Sequence, residues 1–137
     1  MNIWKYYDGD LKYPDLNNHL NEIEIAKTNS KWAFEYVKTH GKNEDLEPAI
    51  AKNAMFSYQY AKNILKGPFE LGEPAIAKDM EFSYSYAMLI NRRFELGEPA
   101  IAKDAYYSYR YAKNILKGPF PLGEPTIANY KQDANSY

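Results

Sequence analysis

The chain has 137 residues, 17 Lys and Arg against 18 Asp and Glu, a formal net charge of −1, and no cysteine. Such a balance supplies no bulk field toward nucleic acid or an anionic membrane, and the missing thiols exclude disulfides, cysteine nucleophiles and cysteine-ligated metals. No apolar run approaches the roughly 18 residues of a membrane span, and the start MNIWKYYDGD lacks the apolar centre of a signal peptide, so an intracellular, cytoplasmic protein without membrane partners is expected.

Residues 1–22 match nothing later in the chain and are expected to form an N-terminal cap, with Ile3, Trp4, Tyr6, Tyr7, Leu11, Tyr13, Leu16 and Leu20 as its apolar material. Asp8-Gly9-Asp10 reads as a polar turn, because the other ligand positions of a calcium loop are missing. Residues 23–46 form a degenerate first repeat. Ile25-Ala26-Lys27 and Trp32–Lys38 match later segments, Asn29 or Ser30 caps the helix, and Gly41 follows its end. Ile23 stands where later repeats have proline.

Three full repeats occupy residues 47–123: EPAIAKNAMFSYQYAKNILKGPFELG from Glu47, EPAIAKDMEFSYSYAMLINRRFELG from Glu73 and EPAIAKDAYYSYRYAKNILKGPFPLG from Glu98. Pro48, Pro74, Pro99 and Pro125 are spaced by 26, 25 and 26 residues, a period that marks stacked repeats. Proline at the first helical position opens a short helix running through Lys78 or Lys103, and Asn53, Asp79 and Asp104 then cap a longer one. In the last full repeat the long helix is expected over Ala105–Lys117, stopped by Gly118 and Pro119. At 100° per residue its apolar and polar positions separate into two faces. A strand through Tyr107, Tyr109 and Tyr111 is the competing reading, but the alternation stops at Ala112. In the middle repeat Lys66-Gly67-Pro68 becomes Arg92-Arg93 with one residue fewer, which predicts a differently ended helix. Residues 124–137 give half a repeat and a polar C-terminal cap. The expected fold is a single-domain all-α, right-handed solenoid of short-helix/long-helix repeats with caps at both ends.

A unit of about 25 residues with one short and one long helical piece resembles the leucine-rich repeat variant, an α/3₁₀ solenoid. Tyrosine and alanine stand here where that family favours valine and leucine. Over about Glu47–Ala128 the wording EPAIAKDxxYSYxYAKNILKGPFPLGE is similar to tandem repeats of uncharacterised proteins of tailed bacteriophages and some bacteria. That resemblance implies a viral origin and carries over no catalytic residue. It suggests a binder or inhibitor of a host protein, acting in the host cytoplasm, with a defence system as one candidate target.

The near-copies separate fixed positions from varied ones without any alignment. Tyr60, Tyr86 and Tyr111 never change and are expected in the core, their hydroxyls reaching backbone carbonyls between repeats. Tyr58, Tyr84 and Tyr109 form a second ladder at the edge of the apolar arc, expected as a partly exposed aromatic strip. Met55, Glu81 and Tyr106 vary, as do Gln59, Ser85 and Arg110. Varied outward positions are either indifferent to their surroundings or specific to a partner, and Met55 and Tyr106 are costly choices for an indifferent site. With Arg92 and Arg93 these eight residues make the candidate partner-binding set.

Lys52, Lys78 and Lys103, with Lys27, form a cationic row that would suit a nucleic-acid backbone, but Glu47, Glu73, Glu98 and Glu124 are expected to offset it. His19 and His40 have no nucleophile or ligand set beside them and read as surface or capping residues, and no glycine loop cradles a phosphate. The function expected is therefore a non-catalytic protein–protein interaction solenoid, with no catalytic residue, metal or cofactor. A self-associating structural component and a single-stranded nucleic-acid binder are the alternatives.

Overall fold

The computed structural model describes the backbone of residues 19–134 and the side-chain surroundings of residues 22–129. The apolar set and the acidic turn assigned to the N-terminal cap, and the side chains of His19 and Leu20, lie outside the described residues. The protein is all-α, with no strand among the described residues. It divides after Gly72 into two compact units, at a repeat boundary legible in the sequence.

The first unit contains α1 (His19–Ala26), α2 (Ser30–His40), α3 (Glu47–Ile50) and α4 (Ala54–Gln59). α1 runs across the boundary drawn between residues 22 and 23, because Ile23 lacks the proline that fixes where the later short helices start. Asn29 caps α2, its side chain accepting from the N–H groups of Lys31 and Trp32, and Gly41 ends it at φ 89°. Phe34 of α2 stacks on Phe56 of α4 at 5.2 Å, over a core that includes Val37, Leu46 and Ile50.

The second unit contains α5 (Glu73–Ile76), α6 (Met80–Ile90), α7 (Glu98–Ile101), α8 (Ala105–Tyr111) and α9 (Glu124–Ala134). Its core gathers Ile76, Tyr86, Phe94, Ile101, Tyr111, Phe120 and Ile127. α9 begins like a short helix but runs on, since Tyr130 stands where Asp79 and Asp104 end the earlier ones. The expected half repeat is thus one continuous helix.

Within a repeat each fixed residue has a local task. The caps form as the sequence predicts: Asn53, Asp79 and Asp104 accept from the N–H groups of Phe56, Phe82 and Tyr107 at 2.8, 2.8 and 3.0 Å. Ser57, Ser83 and Ser108 donate to the last carbonyls of the short helices, those of Ile50, Ile76 and Ile101, at 2.9–3.1 Å. Gly72, Gly97 and Gly123 lie against those serines so closely that a Cβ at Gly97 would sit 2.5 Å from Ser83 Oγ. The short helices are shorter than predicted and stop at the isoleucine. They are entered through 3₁₀ turns such as Glu95–Gly97 and Pro121–Gly123, which no apolar spacing announced.

The long helices depart from expectation in winding. After Gln59 and Tyr111 the first and last full repeats pass into π-helical turns, Tyr60–Leu65 and Ala112–Leu116, whereas α6 stays α-helical to Ile90. The cause is countable. From the core tyrosine to the next core phenylalanine is one residue longer in Tyr60–Phe69 and Tyr111–Phe120 than in Tyr86–Phe94, and a wide i→i+5 turn absorbs the extra residue. The deletion in the middle repeat therefore falls inside the helix and not at its stop. All three helices end alike, on a left-handed residue: Lys66 at φ 55°, Asn91 at 55° and Lys117 at 53°. Gly67 and Gly118, read as the stops, come one place later, and the positive φ falls on the lysine.

Tyr60, Tyr86 and Tyr111 are completely buried, as predicted, but their hydroxyl hydrogens go to carboxylates where carbonyls were expected. They donate to the repeat glutamates Glu47, Glu73 and Glu98 at 2.7, 2.6 and 2.5 Å. Three members of the carboxylate row expected to offset the lysines thus turn inward, and Glu98 is buried outright. In the degenerate repeat, burial, followed by the charge of buried Glu22, raises Tyr36 above the ordinary tyrosine range. Tyr60 and Tyr111 are pushed far up, first by burial and then by their hydrogen bonds to Glu47 and Glu98.

Candidate protein-interaction face

Of the eight candidate residues, Met55 and Gln59 lie on α4 in the first unit, Met55 exposed and Gln59 half-buried. Glu81 and Ser85 lie on α6, exposed and half-buried, and Arg92 is exposed just beyond it. Arg93 is already engaged. Its Nε and Nη2 reach the two carboxylate oxygens of Glu98 at 2.7 and 3.0 Å, a fork-to-fork pair on the glutamate that holds Tyr111. That carboxylate raises the guanidinium pKa further. Arg93 occupies the place of Pro68 and Pro119 and braces the core from outside.

Tyr106 and Arg110 do come together, and they recruit residues the sequence did not point to. Four residues apart on α8, they share a helix face, and the Arg110 guanidinium lies over the Tyr106 ring at 5.2 Å while donating to its hydroxyl. The same guanidinium lies 5.6 Å over the ring of Tyr84 from α6, with a long 3.4 Å Nε contact to its hydroxyl. Asn114 donates to the Tyr84 hydroxyl at 2.9 Å. Tyr107 completes the group, 5.7 Å from Tyr84 and edge-on to Tyr106 at 5.2 Å. Burial, with Glu81 next in weight, raises Tyr107 above the usual phenol range, and the tyrosine hydroxyls hold Arg110 firmly protonated.

This arrangement corrects one member of the second tyrosine ladder, since Tyr58 and Tyr109 are partly exposed as expected and Tyr84 is not. Tyr84 is only 7% exposed, being roofed by Arg110 and Asn114, so it is no open strip. Tyr58 and Tyr109 are half-buried and each carries a lysine over its ring, Lys62 at 5.9 Å and Lys113 at 5.8 Å. The signal that could have found the cluster is the repeat period: Tyr84 and Arg110 are 26 residues apart, and Tyr106, Arg110 and Asn114 follow at i, i+4, i+8.

Leu71, Leu96 and Leu122 were also missed. They keep their identity through the three repeats while remaining 53–57% exposed, so burial does not account for them. Lys52, Lys78 and Lys103 are exposed as well. His40 is the last residue of α2, its Nδ1 3.1 Å from the Tyr36 carbonyl and its ring stacked on Tyr36 at 4.0 Å. Among the described residues no group of three His, Cys, Asp or Glu could hold a metal ion, and no helix is long and apolar enough to cross a membrane. Comparison with protein-family models, curated proteins and solved structures finds no match.

Proposed function

We propose that this chain is a non-catalytic protein-binding module whose α6–α8 face, centred on Tyr106 and Arg110, engages another protein. One observation carries the reading: Tyr106, 48% exposed, is stacked with Arg110 on an outward stripe where the sister repeats have Met55 with Gln59 and Glu81 with Ser85. An exposed tyrosine does little for folding, whereas tyrosine and arginine are the residue types that anchor protein interfaces. Pre-stacking lowers the entropy that an arginine loses on binding.

The finer architecture belongs to the same reading. A right-handed solenoid of stacked repeats is the architecture proposed, with affinity coming from residues that vary between otherwise equal units. The likeness of the repeat wording to tailed-bacteriophage proteins supports a phage-encoded binder or inhibitor of a host protein, working in the host cytoplasm.

The test is affinity capture of proteins from lysate of the native cells on tagged full-length chain, read by mass spectrometry, beside the Tyr106→Ala variant. The variant should melt as the parent does and lose the captured protein about tenfold or more, as for an interface anchor. Equal capture by both chains refutes the face.

A further inference from the structure

The Tyr84–Arg110 cluster holds more hydrogen-bond donors than acceptors. The Tyr84 hydroxyl accepts from Asn114 and, at long range, from Arg110, so its own hydrogen has no acceptor among the described residues, although the side chain is more than nine-tenths buried. The Tyr106 hydroxyl likewise accepts from Arg110 and leaves its hydrogen uncommitted. Arg110 spends Nε and Nη1 on these oxygens and keeps Nη2. The Tyr84 hydroxyl is part-buried and the Tyr106 hydroxyl exposed, so both hydrogens lie around one guanidinium where an incoming acceptor can reach them.

We infer that this cluster is a carboxylate-binding site, taking an Asp or Glu side chain of the protein partner; the inference rests on the reading of the face proposed above and names its chemistry. A carboxylate brings acceptors only, and enough of them for the guanidinium edge and the hydroxyls together. Its charge also matches. Arg110 is the cation in contact with the rings of Tyr84 and Tyr106, and Glu81 acts on the neighbouring Tyr107 from α6. One guanidinium tempered by a nearby carboxylate suits a monoanion better than a doubly charged phosphate monoester. The flat faces of Tyr106 and Tyr107 offer apolar contact to whatever flanks the acidic residue.

Side-chain NMR of the isotopically labelled full-length chain tests this, with N-acetyl-glutamate N-methylamide as carboxylate probe, phenyl phosphate as phosphate probe and sodium chloride as ionic control. The carboxylate should shift the Arg110 Nε–H and Asn114 amide resonances along a saturating curve, and Tyr106→Phe, which keeps the ring and deletes the hydroxyl, should weaken it severalfold. Arg110→Gln should abolish it. Shifts that grow linearly as with chloride, stronger binding of phenyl phosphate, or saturation that survives Arg110→Gln would each overturn the assignment. The two readings fail separately. Carboxylate binding beside unchanged capture by Tyr106→Ala keeps the site and removes its use in partner capture, while lost capture without carboxylate binding keeps the face and overturns the chemistry.

Discussion

Replacing Tyr111 by Phe tests the buried tyrosine–glutamate pairing most directly, because it deletes one oxygen and keeps the ring packed against Phe120 at 5.0 Å. That oxygen does two things: it donates to Glu98 at 2.5 Å and accepts from the Phe94 N–H at 3.0 Å. A hydrogen bond to a charged group contributes about 1.5–3 kcal/mol, and a buried N–H left without an acceptor costs about 1–3 kcal/mol. Glu98 keeps Arg93, which softens the first contribution, so a loss of about 3 kcal/mol is expected. Urea unfolding followed by circular dichroism measures it, with Tyr107→Phe as a reference at which little should change. A midpoint for Tyr111→Phe equivalent to a loss under about 0.5 kcal/mol, the ordinary scatter of surface substitutions, would show that the pairing adds nothing to stability.

The same tyrosines make stability fall at high pH. Folding raises Tyr60 and Tyr111 above the ordinary value near 10, so between that value and their folded values the unfolded chain sheds protons that the folded chain keeps. Their stabilisation is thus complete below pH 10 and lost as pH rises above it, by up to about 1.4 kcal/mol per pH unit for each tyrosine. Urea midpoints at pH 9 and 11 should show the fall, and Tyr111→Phe should make it shallower; a flat profile would contradict the burial. Lys117→Asn should raise the midpoint by about 0.5–1 kcal/mol, since asparagine tolerates the left-handed backbone that lysine adopts there and already holds that place as Asn91. An equal or lower midpoint would mean that Lys117 has compensating contacts.

The chain announced its helices and its core through signals local in sequence. A proline at the start, an Asp or Asn three residues before the N–H it receives, and a tyrosine returning in every repeat are enough to place Pro99, Asp104 and Tyr111. What stayed hidden depends on distance. Tyr111 finds Glu98 thirteen residues back through a turn, and apolar spacing says nothing of which polar atom lies at the end of a buried ring. At 100° per residue Asn114 falls on the polar side of the helix, yet within the π turn it lies half under cover against Tyr84. The face was legible as two varied positions, Tyr106 and Arg110. Its depth was not, because Tyr84 becomes buried only when the following repeat lays an arginine over it.

The wide helical turn that opens after Tyr111 and is missing after Tyr86 gives these modules slack in their coding length. An added codon swells one coil while the anchoring ring before it and the hooked residue after it keep their places. Copies can therefore be duplicated, trimmed or padded without upsetting the caps on either side. New outward side chains can then be sampled on a frame that forgives small errors in copying.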